Sequence, residues 1–331
     1  MMKKNISKFL LIFILLGLAV GVSFNRYLTF LATLSAINAI AVMGIVVISG
    51  YTGQLNLGQA AFVGLGAYTV AILGVSYGIS FWIAIPVAIG VTAFFGILMG
   101  IPALKLKGGP YLALVTQTFG EIIYLAIMNL ENFTGGPFGI LGIEYPSIAG
   151  YTFSGLREYF FLCIAFLSVC YFLCRRIVDS PLGLVFTGIR ESEDAEQSIG
   201  INTMYYKIMA FAIAAILGGI AGTLYAPFIG YISPDQFRWY PSLLLVSMAI
   251  VGGINSIGGG ILGAFVLTFL PELLRLTDQF RLILYGLLVI AMLALLPEGL
   301  VSLYGKSWSE IRRMLSTRIQ ALRSRKLSQP R

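Results

Sequence analysis

The chain has 331 residues, 58% hydrophobic and only 11% charged, with a mean hydropathy of +0.90. Soluble domains run about 45–50% apolar and ~25% charged, so a water-soluble globular enzyme is excluded and the natural solvent is a bilayer. With no histidine in the sequence, His-based triads, HExxH zinc sites and His-ligated haem are excluded as well.

A bilayer core of about 30 Å takes about 20 apolar residues per helix. In chain order, ten spans are predicted: residues 9–24, 27–49, 60–78, 80–104, 111–130, 159–178, 207–230, 241–255, 257–274 and 281–300. The eighth and ninth are short and glycine-rich, and read as tilted, broken or fused. The fold class is all-α, a polytopic transmembrane helical bundle. A membrane domain over residues 1–304 is followed by a basic tail, 305–331. The first segment has two readings. Lys3, Lys4 and Lys8 before an apolar run ending in Ala19-Val20-Gly21 fit either a retained anchor or a signal peptide, and both deliver residue 25 to the same side.

Cytoplasmic loops collect Lys and Arg. With both termini inside, 17 of the 22 basic residues fall on the inner side, leaving Arg26, Arg157, Arg238, Arg275 and Arg281 outside. Inner-leaflet anchoring thus accounts for the net charge of +8. Nucleic-acid binding has no basic aromatic groove to support it.

Three interruptions need a reason. Residues 50–59, GYTGQLNLGQ, place three glycines and several amides between two spans. Such backbone near membrane depth survives only where protein or a water-filled path satisfies it, which makes Tyr51, Gln54, Asn56 and Gln59 candidates for a translocation path; a plain inner loop with tight glycine turns is the other reading. Glu121 sits ten residues into a span, beside Thr116, Gln117 and Thr118. A mid-helix carboxylate costs about 2.5–3.5 kcal/mol or more and should face the bundle interior or water, so Gln117 and Glu121 line a path or lock two helices together. The third interruption is the inner segment 175–207. Ser180-Pro181 is an N-cap with proline at the first helical position, and Leu182, Val185, Phe186 and Ile189 form an apolar stripe. The charged run Arg190 to Glu196 follows, and Gly200 is placed to stop a second helix. A short amphipathic pair of this kind suits a partner's groove.

Other patterns carry no chemistry. Gly258-x-Gly260-x-x-Gly263 matches a dinucleotide fingerprint by letters but lies between apolar spans, and with Gly96, Gly100, Gly218 and Gly222 reads as close helix packing. Gly305-Lys306-Ser307 lacks the glycine that opens a phosphate-binding loop, so the chain is expected to have no ATP site of its own. Cys163, Cys170 and Cys174 share one face of a span and read as small apolar side chains. No catalytic residue, cofactor or metal is expected.

The run GYTGQLNLGQAAFVGLGAYTVAIL (50–73), the segment LALVTQTFGEIIYLAIMNLENFTGGPFGI (112–140) and the stretch SPLGLVFTGIRESEDAEQSIGINTMYYKIMAFAIAAILGGIAGTLYA (180–226) closely resemble the M-type membrane subunit of bacterial branched-chain amino acid ABC importers, over about residues 30–300. The resemblance implies a permease of the bacterial cytoplasmic (inner) membrane that pairs with a paralogous H-type permease, two cytoplasmic ATP-binding subunits and an extracytoplasmic substrate-binding protein. ATP hydrolysis then belongs to the partners. The same resemblance makes the inner segment the coupling element, with Arg190, Glu191, Glu193, Asp194, Ala195, Glu196 and Gly200 as the residues that meet the ATPase. The coupling pattern E-A-A, three residues, G is kept in spacing but reads Asp194-Ala195-Glu196 to Gly200, and Ala210-Phe211 stands where an apolar-proline tail is expected. Urea, amides and other small polar solutes are rival cargoes within this class. An autonomous carrier or channel built on Glu121 is the rival outside it.

Overall fold

The computed structural model describes residues 25–103, 110–148 and 150–273, with ten further positions between 286 and 303. Ten α-helices lie in these stretches. In order they are α1 Arg26–Ile45, α2 Gln59–Ala71, α3 Phe81–Ala103, α4 Pro110–Asn129, α5 Leu156–Val178, α6 Pro181–Glu191, α7 Glu193–Ser198, α8 Thr203–Ile229, α9 Trp239–Gly252 and α10 Ile257–Leu273, apart from a one-turn helix at Glu131–Thr134. Widened π-helical turns extend α1 over Val46–Tyr51 and α2 over Ile72–Ser76. Two short antiparallel pairs complete the fold: β1 Ile140–Leu141 with β4 Tyr231–Ile232, and β2 Ser147–Ile148 with β3 Tyr151–Thr152.

Six helical segments among the described residues are long and apolar enough to cross a membrane: 26–51, 59–76, 81–102, 111–129, 156–178 and 203–229. Each matches a predicted span within a few residues. The predicted spans 241–255 and 257–274 form a broken pair, α9 and α10 (with a preceding 3-10 turn, Pro234–Phe237), bent by 119° at the break between them. Counted as one crossing, that pair makes seven. The predicted span 9–24, most of 281–300, both termini and the tail 305–331 lie outside the described residues.

Helix α1 is apolar on every side and enclosed: 89% of its most apolar window is buried, against 28% for α4 and α5. A helix of that kind belongs at the centre of a bundle, and one with a bare apolar flank at its edge. Accordingly Phe94, Leu114, Ile122 and Phe172 on α3, α4 and α5 are more than half exposed and form an apolar skin. Helix α8 is the hub, packing against α1, α2 and α3. Its crossing with α2 brings backbone against backbone. A Cβ on Gly222 would strike the Val63 carbonyl oxygen, and one on Gly66 the Gly219 carbonyl oxygen. On the next helix a Cβ on Gly96 would lie 2.5 Å from Ala215 Cβ. The small residues therefore act as predicted, letting backbones approach. Gly260 and Gly263 do the same against Val46 and Met248, and Cys163, Cys170 and Cys174 are buried in the core.

Candidate functional site

The inner segment folds as a capped helix pair. Ser180 accepts from the Leu182 amide at 3.2 Å with Pro181 at the first helical position, and Ser192 starts α7 by accepting from the Ala195 amide at 3.3 Å. Phe186 and Ile189 turn inward from α6, so the predicted stripe faces the bundle. Gly200 has φ +88°, the left-handed conformation expected of a helix stop. Leu184 on α6, Ile199 just after α7, and Met204 and Tyr205 in the first turn of α8 are all more than half exposed.

The charged run splits into two sets. Glu191, Asp194, Ala195 and Gly200 are exposed. Arg190, also exposed, and half-buried Glu193 reach back onto the bundle with their charged ends instead. Arg190 donates through Nη1 to the Gly50 carbonyl at 2.7 Å and to Asn255 Oδ1 at 2.8 Å. It thereby ties the pair to the end of the first π-helical turn and to the bend between α9 and α10. Gly53, at φ +71°, allows the loop to lie against the Arg190 stem, where a Cβ would come within 2.8 Å. Glu193 pairs with the buried Lys207 at the root of α8 and accepts from Thr203 Oγ1 at 3.2 Å. Glu196 lies over Gly188, where any Cβ would strike its carboxylate.

A buried ammonium that loses its paired anion is strongly destabilising, so Glu193→Lys is expected to lower stability by roughly 2–3 kcal/mol, at or just below the foot of the ~3–5 kcal/mol range for fully buried pairs because Glu193 is partly exposed. Thermal unfolding of the detergent-solubilised chain checks this. Glu191→Lys, on the exposed set, should leave the melting temperature within about a degree, the scale of an ordinary surface substitution.

The second candidate region is the stretch 52–58 and the flank of α4 beside it. Thr52, Gln54, Asn56 and Gln59 are all at most 3% exposed, so protein encloses these polar side chains, while Gly53 and Leu55 between them stay exposed. Most of its amides are committed. Gln59 Nε2 donates to the carbonyls of Ala41 at 3.1 Å and Ala214 at 3.0 Å, pinning α1, α2 and α8 together, and its Oε1 accepts from Asn56 at 3.0 Å. Asn56 Oδ1 accepts from the Gly58 amide at 2.9 Å, and Thr116 Oγ1 from the Leu57 amide at 2.9 Å. Tyr51 is half-buried at the end of the π-helical turn. Gln54 differs, since both side-chain polar atoms are buried with no hydrogen-bond partner among the described residues.

On α4, Gln117 and Glu121 are half-buried one turn apart. Glu121 Oε2 lies 3.5 Å from Arg238 Nη2. The Arg238 guanidinium sits 4.5 Å above the Tyr124 ring, and Tyr124 donates its hydroxyl proton to Asp235 Oδ1 at 3.2 Å. Sequence reasoning placed Arg238 on an outer loop and missed this partnership; only the need of a mid-span carboxylate for a counter-charge pointed to it. Among the described residues, no group of three His, Cys, Asp or Glu side chains is placed to hold a metal ion.

Apolar crossing helices with a capped, charged helix pair between two of them define a multi-pass membrane protein. The chain belongs to the permease family described as "Branched-chain amino acid transport system / permease component", whose profile matches residues 27–293. It is 34% identical over 316 residues to the Escherichia coli (strain K12) "High-affinity branched-chain amino acid transport system permease protein LivM", covering 88% of this chain and 74% of that one. Similarity extends to the "Probable branched-chain amino acid transport permease protein LivH" of Methanocaldococcus jannaschii, at 22% over 80% of this chain and 88% of that one. It reaches the "Autoinducer 2 import system permease protein LsrC" of Salmonella paratyphi B, at 27% over 58% of this chain and 56% of that one. No solved structure gives a significant match. The chain is thus a permease, a multi-pass protein of the inner membrane.

Proposed function

We propose that the chain is the M-type half of an ATP-driven importer for branched-chain or similar amino acids. It pairs with an H-type paralogue, takes its drive from two ATP-binding subunits under α6 and α7, and receives solute from an extracytoplasmic binding protein. The single observation that carries the drive is the helix pair itself: capped at both starts, with exposed apolar side chains at Leu184 and, just after it, at Ile199, Met204 and Tyr205, and tied to the bundle through Arg190 and Glu193. An autonomous carrier has no use for such a surface. Glu191, Asp194, Ala195 and Gly200 then meet the ATPase, Glu196 braces the two helices, and Arg190 and Glu193 transmit the push. An even number of crossings that leaves both ends inside, a membrane domain over 1–304 and a basic cytoplasmic tail over 305–331 complete the reading. The path runs along α4 past Gln54, Gln117 and Glu121, with Asn56 and Gln59 holding its wall and Tyr51 at its inner end.

Reconstitution tests this directly. Proteoliposomes holding both permeases and the ATP-binding subunits, supplied with binding protein, should accumulate leucine only with internal ATP in the orientation that receives binding protein. Leucine uptake at the same rate by the isolated chain would overturn it.

A further inference from the structure

At the 1.5 Å rise of a helix, Glu121 lies about 16 Å from the start of α4 and about 12 Å from its end, well inside the depth of a bilayer core. Its side chain is 30% exposed and that of Arg238 43%, with a single contact at 3.5 Å between them. Two charges left this open cannot face lipid tails. They must face water, solute or another protein. The polar strip they crown is continuous: Thr116 holds the buried loop at Leu57, Gln117 and Glu121 follow on the same helix, and Tyr124 with Asp235 lies beyond.

We infer that Glu121 and Arg238 form a solute-contacting site, in which Glu121 takes the ammonium and Arg238 the carboxylate of a zwitterionic α-amino acid moving along α4; the inference rests on the permease reading above. A zwitterion crossing the bilayer core needs a counter-charge at both ends. A lone fixed charge satisfies one end and leaves the other unpaired. An acid and a guanidinium side by side satisfy both, and exchanging their mutual contact for two contacts to the solute adds no net charge to the membrane interior. Arg238 is built for that exchange because its seat does not depend on Glu121. The Tyr124 ring lies beneath the guanidinium, and Asp235 holds that ring by its hydroxyl.

The test uses the whole importer in proteoliposomes with a leucine analogue bearing a diazirine in its side chain. During turnover, illumination should attach the probe to α4 around Gln117–Tyr124 and to the segment around Arg238. Arg238→Gln and Glu121→Gln should each lower maximal uptake at least about tenfold, as expected for losing a charge-assisted contact. Half-saturation in binding protein and ATP hydrolysis stimulated by loaded binding protein should stay at wild-type values. Arg238→Lys, which keeps the charge, should recover part of the rate. Unchanged uptake in both neutral variants, or probe attached only elsewhere, overturns the inference while leaving the permease reading intact. Loss of the H-type subunit from all three variants would assign the pair to the interface between permeases and overturn it too. A wild-type complex that accumulates no amino acid with ATP removes both readings together.

Discussion

Gly222→Val is expected to abolish recovery of folded, monodisperse permease from the membrane. A side chain at residue 222 meets backbone, the Val63 carbonyl and the Ala67 amide, and backbone of a packed helix cannot swing aside as a flexible side chain does. Separating α2 from α8 to admit a valine would also pull Gln59 away from the Ala214 carbonyl and Gly66 away from Gly219. Overpacking of this kind costs roughly 3 kcal/mol or more. The control is Gly90→Val on α3, where a Cβ meets nothing within 4 Å. Size-exclusion profiles and melting temperatures of the two variants should separate sharply. A Gly222→Val protein as stable as Gly90→Val would show that the α2–α8 crossing is looser than described.

Arg190→Ala should leave ATP hydrolysis running in the assembled importer while uptake falls about ten- to a hundredfold, the range that loss of charged hydrogen bonds of about 1.5–3 kcal/mol gives. The side chain is the only described polar link from α6 to both the Gly50 carbonyl and Asn255. Without it the helix pair still meets its ATPase through the exposed residues but no longer moves the ends of α1 and α9 with it. Asn255→Ala removes one of the two bonds and should show a smaller loss. The ratio of solute imported to ATP hydrolysed is the measurement. A ratio equal to wild type in Arg190→Ala would show that its bonds to Gly50 and Asn255 carry no part of the coupling.

What the sequence made legible was local. Apolar runs located the six long helices, Ser180-Pro181 started α6, and Gly200 ended the second helix, because each signal lies within a few residues of its effect. The bend between α9 and α10 was foreshadowed by their glycines, although its angle follows from packing. The functional residues were harder to place because their partners are remote. Arg190 reaches Gly50 across 140 positions and Asn255 across 65, and Gln59 reaches Ala214 across 155. Reading the amides of 50–59 as a path was natural from composition alone; in the folded chain Asn56 and Gln59 spend their hydrogen bonds on neighbouring backbone and side chains, and the Gln54 amide has no partner among the described residues. Glu193 likewise reads as surface charge until Lys207 is found buried beside it.

The enclosure of α1 also bears on how the protein is made. This helix leaves the ribosome roughly 160 residues before α8, at a distance set by chain order, yet α8 supplies the Ala214 carbonyl that Gln59 needs and part of the wall around α1. Until synthesis reaches α8, the first helices rest in lipid with that amide and the glycine grooves uncovered. Nascent chains halted before Thr203 therefore expose an unfinished surface, one that membrane quality-control proteases are equipped to recognise and degrade.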